Sequence, residues 1–274
     1  METTYHPISL EDRAAVAALR EAIPPGKGNT FALDMRPIFD EMIGQTPAAP
    51  GVTYEAATVG GVPGWWRRPS GALPGAALLY LHGGTYGIGS AQAYQHFVGQ
   101  IAARAGAAAF APEYRLAPEH PFPAAVDDAL AAYSGLAAQG FTTIALVGDS
   151  AGGGLALVTL AQAVASAQGG GASPRCAAVM SPWTDLALSG ASITDRAAAD
   201  PLLTRDGLAV AAARYLDGHD PRDPRASPLF GGLAACRQCV WMSARMKSCW
   251  MTPGATPNKS PPKAETASCT SGPA

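Results

Sequence analysis

Apolar residues recur along this chain first at helical and then at strand spacing, and that succession predicts its architecture. Ile8, Ala15, Val16, Leu19 and Ala22 share one helical face, and 31–43 repeats the habit after the break at Pro24-Pro25-Gly26. Two helices therefore precede any long strand. Val52 to Val59 alternates as an edge strand does, and Val62 to Arg68 follows after Gly60-Gly61, which predicts an antiparallel hairpin with Trp65-Trp66 as packing residues. Ala76 to Leu81 is an unbroken apolar run, the mark of a strand buried on both faces. Helical spacing from about Gln92 to Ala105, a strand from Ala107 to Pro112, a helix from Ala124 to Ala138 and a strand from Thr143 come next. Cys176 to Met180 is the last strand the pattern supports. Strands alternating with helices predict an α/β fold with a mostly parallel sheet and right-handed crossovers. Ser192 to Asp217 is mainly helical and reads as an insertion over one end of that sheet.

Composition narrows the function classes. A chain of 274 residues, 48% hydrophobic and 15% charged, suits one sizeable α/β domain. A formal charge of -2 gives no electrostatic footprint for nucleic acid, so a small-molecule partner is expected. Met1 to Pro7 lacks a basic start followed by an apolar core, and no apolar run approaches the roughly 18 residues of a membrane span, so a cytoplasmic protein is expected. Five cysteines, four of them after residue 235, do not form a disulfide framework. Cys236-x-x-Cys239 alone is too little for a metal site, and no metal or cofactor is expected.

Two loops carry candidate chemistry. Gly148-x-Ser150-x-Gly152 joins a strand to a helix, and such a turn lifts a serine oxygen clear of the backbone while small neighbours keep other segments away. Helix onset there also aims free N–H groups at a developing oxyanion. The run His82-Gly83-Gly84-Thr85-Tyr86 directly follows a buried strand, so its N–H groups can face a cavity with no side chain in the way. Together these loops suit an oxyanion hole, with His82 pinning the loop and transferring no protons. His120, beside Pro121 in the proline-rich loop 113–123, precedes the serine and is not expected to be its base.

Five landmarks in order add a resemblance: Leu81-His82-Gly83-Gly84, Tyr114-Arg115-Leu116-Ala117-Pro118-Glu119, Gly148-Asp149-Ser150-Ala151-Gly152-Gly153, Ser181-Pro182-Trp183-Thr184-Asp185 and Ser227-Pro228-Leu229-Phe230. Over roughly residues 50 to 232 the chain resembles the hormone-sensitive-lipase-like carboxylesterases of the α/β-hydrolase fold. The resemblance implies Ser150 as nucleophile, with Gly83, Gly84 and Ala151 donating to the oxyanion and His82, Gly148, Asp149 and Gly152 in support. It also implies N-terminal cap helices over 1–48 and a core over 49–232 with a cap insertion at about 187–222. Hydrolysis of short to medium acyl esters through a Ser150 acyl-enzyme is the implied function. Thr85 departs from the small residue usual at its place.

The family needs an aspartate and then a histidine after the serine, one to orient the ring and one to take the serine proton. Here the only histidine after Ser150 is His219, at the end of the predicted insertion helix, where the family's segment is structural. Composition changes at about residue 233. From Cys236 to Ala274, Val240 is the only Val, Leu, Ile, Phe or Tyr, so the last two strands are expected to be lacking and 233–274 to be an aberrant, disordered tail. A shifted reading frame accounts for the change. Taking the third base of each codon with the next two, and a TCN codon for Ser248, Met246-Lys247-Ser248-Cys249-Trp250-Met251-Thr252 becomes x-E-V-[LVM]-L-D-D, similar to the family's D-E-x-L-x-D aspartate motif. That places the missing aspartate where Arg245 and Met246 now stand, with the histidine expected beyond residue 274. Impaired hydrolysis follows from this reading. The competing expectation is a non-catalytic small-molecule-binding relative, or a truncated pseudoenzyme, that keeps the pocket without the triad.

Overall fold

Ala76–Leu81 and Thr143–Asp149, two nearly continuous apolar runs, form neighbouring parallel strands at the centre of a nine-stranded mixed sheet. The computed structural model describes residues 2–5, 9–22, 32–167, 173–231, 239–243 and 265–268. In chain order its strands are β1 Glu2–Tyr5, β2 Val52–Val59, β3 Val62–Pro69, β4 Ala76–Leu81, β5 Ala108–Pro112, β6 Thr143–Asp149, β7 Cys176–Met180, β8 Cys239–Ser243 and β9 Glu265–Ser268. The helices are α1 Leu10–Ala22, α2 Arg36–Gly44, α3 Gln95–Ala105, α4 Ala124–Ala138, α5 Ser150–Ala167, α6 Ser192–Asp195 and α7 Arg205–Leu216.

The sheet order is β1-β9-β8-β7-β6-β4-β5-β3-β2. Strands β4 to β8 run parallel, and the edges are antiparallel, with the β2–β3 hairpin closing as its alternation predicts. Alternate residues of β4 serve opposite faces. Leu79 and Leu81 join the larger core with Leu146, Leu155 and Leu157, while Leu78 and Tyr80 join a second core with Val98, Ala102 and Phe39. Both faces are thus covered, which is why the central strands lack polar alternation. Trp66 is buried beside Phe110 and Phe141, a packing role as expected for the tandem tryptophans.

Two expectations are corrected. The tail was expected to build no strand, yet β8 pairs parallel with β7 from Ala177↔Cys239 to Met180↔Met242, and β9 follows antiparallel. Val240 and Trp241 favour extended backbone, and the free edge of β7 offers a row of unpaired groups to it. Apart from β8 and β9, the predicted disordered tail lies outside the described residues. The second correction concerns α5, whose 18 residues are apolar enough to cross a membrane by length and composition. Thr159, Gln162 and Ser166 interrupt the run without lowering its average enough to exclude it. Its face from Ala151 to Leu160 is buried within the fold, so it is here a core helix.

Parallel sheets place their sites at the carboxyl ends of strands, where neighbouring crossovers depart in opposite directions. β4 sits between β5 and β6, and its last residue Leu81 lies opposite Gly148. The glycine loop after β4 and the serine after β6 therefore emerge side by side.

Candidate functional site

Ser150 opens α5 with φ of +51°, a left-handed conformation that non-glycine residues seldom adopt. The turn holds because its surroundings leave no alternative. A Cβ at Gly152 would overlap the carbonyl oxygens of Leu81 and His82, and one at Gly148 would stand 2.8 Å from Leu81 O. Only hydrogen atoms fit between the elbow and the end of β4. The Ser150 carbonyl then accepts a hydrogen bond from Trp183 N–H at 2.7 Å, which ties the elbow to the loop after β7. That loop is itself locked, since Leu186 N–H donates to Ser227 Oγ at 2.8 Å and Leu229 N–H to Thr184 O at 3.0 Å.

The loop after β4 continues left-handed through Gly84 at +122°, Thr85 at +53° and Tyr86 at +61°. Successive residues of this kind make a left-handed turn whose first N–H groups have no partner within the turn, which suits an anion. Gly87 N–H and Ile88 N–H both donate to Gly84 O and close the turn. Thr85 Oγ1 is buried with no hydrogen-bond partner among the described residues.

Asp149 organises the hollow from beside the serine. Its Oδ1 accepts from Tyr80 OH at 2.7 Å and Gly83 N–H at 2.9 Å, and its Oδ2 accepts from Tyr94 OH at 3.2 Å. Burial, then the nearby Asp149 charge, raises both phenols well above their ordinary values, so they stay neutral donors. Gly83 was expected to donate to the oxyanion. Its N–H is spent on Asp149, which corrects that assignment, because an aspartate neighbouring the serine reaches the loop first. Gly84 N–H has no acceptor among the described residues, and Ala151 N–H lies in the first turn of α5, where no intrahelical partner exists.

His82 sits inside the loop it was expected to pin. Its ring is fully buried, stacks on Tyr114 with centroids 4.3 Å apart, and places Nδ1 2.8 Å from Gly83 O. Burial pushes its pKa down to about 4. The unfolded chain therefore takes a proton near pH 6.5 while the folded chain refuses it, so this stability is complete above about pH 6.5 and is lost as pH falls toward 4. The gap corresponds to about 3 kcal/mol. Urea unfolding at pH 7.5 and pH 4.5 should show the loss, and the difference between the parent and His82→Asn should narrow as pH falls. An unchanged difference would refute the assignment.

No other described histidine meets Ser150. His96 Nδ1 lies 3.0 Å from Thr46 O, His120 is exposed on the proline loop, and His219 is exposed against Phe122. His6 and Cys236 lie outside the described residues. Sequence reasoning missed Tyr80 and Tyr94 as partners of Asp149. The signal was present at Tyr80, the one residue with a polar tip in an otherwise apolar strand.

Residues 78–249 match the family described as the alpha/beta hydrolase fold. The chain belongs to the α/β-hydrolase family. Among curated relatives of this α/β-hydrolase, an acetyl-hydrolase of Streptomyces hygroscopicus is 47% identical over 195 residues, covering 70% of this chain and 63% of the relative. An ethyl acetate hydrolase of Pseudomonas putida is 40% identical over 171 residues, 60% of this chain and 53% of the relative. The chain thus spans less than two thirds of the length of either. A crystal structure of an esterase from the bacterial hormone-sensitive lipase family superposes with a TM-score of 0.78 at 36% identity, covering 89% of this chain and 81% of that one. These relatives place the chain in the hormone-sensitive-lipase-like branch of the α/β-hydrolases, as the five landmarks imply.

Proposed function

We propose that this α/β-hydrolase performs acyl transfer from a short-chain carboxylic ester to Ser150. The left-handed Ser150 beside the left-handed loop 84–86 is the observation that carries this reading. Ser150 Oγ forms a bond to the ester carbonyl carbon, the carbonyl oxygen becomes an oxyanion, and the alcohol leaves as the carbonyl re-forms. Gly84 and Ala151 N–H groups stabilise the oxyanion, with Thr85 N–H next along the same turn. Water then releases the acid and restores the serine. Such chemistry needs neither metal nor organic cofactor. A short acyl group fits the names of the relatives, an acetyl-hydrolase and an ethyl acetate hydrolase.

In the same reading, residues 1–48 and about 187–222 cover the site as cap elements, and 49–232 form the core. Arg20 of α1 donates to Ala199 O at 3.1 Å, a contact that joins the two cap segments. Turnover is slow in the present chain, because no described histidine takes the serine proton.

A chain with nucleophile and oxyanion donors but without a base should retain the acyl group once it accepts it. Incubation with p-nitrophenyl acetate followed by peptide mass spectrometry should find acetyl on Ser150, and none there in Ser150→Ala. Acetylation spread over lysines and other serines with no preference for Ser150 would sink the proposal.

A further inference from the structure

The carbonyl side of the 83–90 loop is gripped by a helix that sequence reasoning assigned only to covering the site. Arg36, the first residue of α2, donates from Nε to Gly87 O at 2.7 Å and from Nη2 to Ala117 O at 3.1 Å. The same guanidinium forms a fork with Glu119, at 2.7 Å to Oε1 and 2.8 Å to Oε2. One turn further along α2, Asp40 Oδ2 accepts from Ser90 Oγ at 2.9 Å. Residues 36 and 40 lie on one helical face, so a single rigid element holds the loop at both 87 and 90.

The grip also includes the proline loop. Ala117 N–H donates to Tyr86 O at 2.9 Å while Ala117 O receives Arg36, so a closed ring of hydrogen bonds runs through 86, 87, 117 and 36. Glu119 is held in turn by a loop whose Arg115 pairs with Asp128 at 2.8 Å. A Cβ at Gly87 would meet Leu33, Ala117 and Arg214 at 3.4 to 3.6 Å, so the N-terminal segment, the proline loop and α7 converge on this one backbone unit.

Stability alone is a weak reason for this arrangement. Glu119 is 52% exposed, and exposed ion pairs contribute little because water screens them. What the forked guanidinium supplies is geometry, since its rigid plane fixes several acceptors at once. Gly87 and Ile88 N–H groups both donate back to Gly84 O, so a shift at Gly87 is passed to Gly84 and the oxyanion donor there.

We propose that Arg36 is a positioning residue for the oxyanion loop, making α2 part of the hole it borders. The functional half of this inference rests on the Ser150 acyl-transfer reading, while the structural half does not. Arg36→Gln should raise amide hydrogen exchange across 84–90 at least about tenfold while leaving β4 and β6 unchanged. In the same variant the saturating rate of Ser150 acetylation by p-nitrophenyl acetate should fall about tenfold, with the half-saturating ester concentration unaltered. Arg36→Lys should recover little, because an ammonium cannot span Gly87 O, Ala117 O and Glu119 together. Glu119→Gln, which leaves both carbonyl bonds in place, should lie between parent and Arg36→Gln.

Unchanged exchange across 84–90 in Arg36→Gln would overturn the proposal, and so would an equal rise in β4 and β6, which would mark general loosening. Full activity of Arg36→Lys would also overturn it. Failure of the parent chain to acetylate Ser150 would instead refute the acyl-transfer reading, and the exchange measurement would still decide whether Arg36 positions the loop.

Discussion

Restoring the alternative reading frame near codons 231 to 236, with the downstream DNA carried along, is expected to raise hydrolysis of p-nitrophenyl acetate about 10⁴-fold over that of the present chain. The serine turn is in place, with the Gly84 and Ala151 N–H groups that the proposed function assigns to the oxyanion, and the described histidines lie elsewhere. His82 is buried, stacked and hydrogen-bonded to its own loop, and the exposed His120 and His219 sit on surface segments. Removing a triad base leaves only the catalysis that the oxyanion hole and binding supply. On the frameshift hypothesis, the alternative frame is expected to carry an aspartate at x of x-E-V-[LVM]-L-D-D, where the present chain carries Arg245 and Met246. Comparing kcat/KM of the two proteins, each with its Ser150→Ala control, measures the gain. Typical esterase turnover by the present chain, abolished by Ser150→Ala, would refute this expectation.

The second large effect is structural. Gly152→Ala is expected to destabilise the fold by about 3 kcal/mol or more, because the added methyl meets the backbone of Leu81 and His82 and no rotamer relieves it. For a chain of this size that corresponds to a fall in Tm of about 6 to 12 °C. Gly44→Ala is the control: nothing lies within 4 Å of its Cβ position at the end of α2, so it should unfold at or slightly above the parent temperature. Equal midpoints for parent and Gly152→Ala would mean that the elbow and β4 are less closely apposed than the structure shows.

Much of this was legible in the sequence because the informative residues are local. Ala76 to Leu81 and Ala124 to Ala138 form the elements that their patterns predict, to the residue. The elbow was legible for the same reason, since glycines at 148 and 152 around a serine encode one turn. Contacts that close over long sequence separations left no such trace. Asp149 meets Tyr80 and Gly83 across more than sixty residues, so Gly83 could be placed in the right loop and still be given the wrong hydrogen bond. Arg36 opens a helix whose apolar pattern announces packing and says nothing of the carbonyls its guanidinium reaches. β8 was missed because a five-residue strand depends more on the edge that receives it than on its own apolar content.

The position of β4 between β5 and β6 governs how the molecule comes into being. Its pairing with β6 begins at Ala76↔Thr143, a separation of 143 − 76 = 67 residues, whereas the β2–β3 hairpin closes within a few. Non-local pairing of this kind slows folding, because chain entropy is lost before the contacts form. During synthesis the glycine loop after β4 is thus made long before the serine strand that completes its surroundings. The hollow beside Ser150 therefore cannot be completed until β6 has been made.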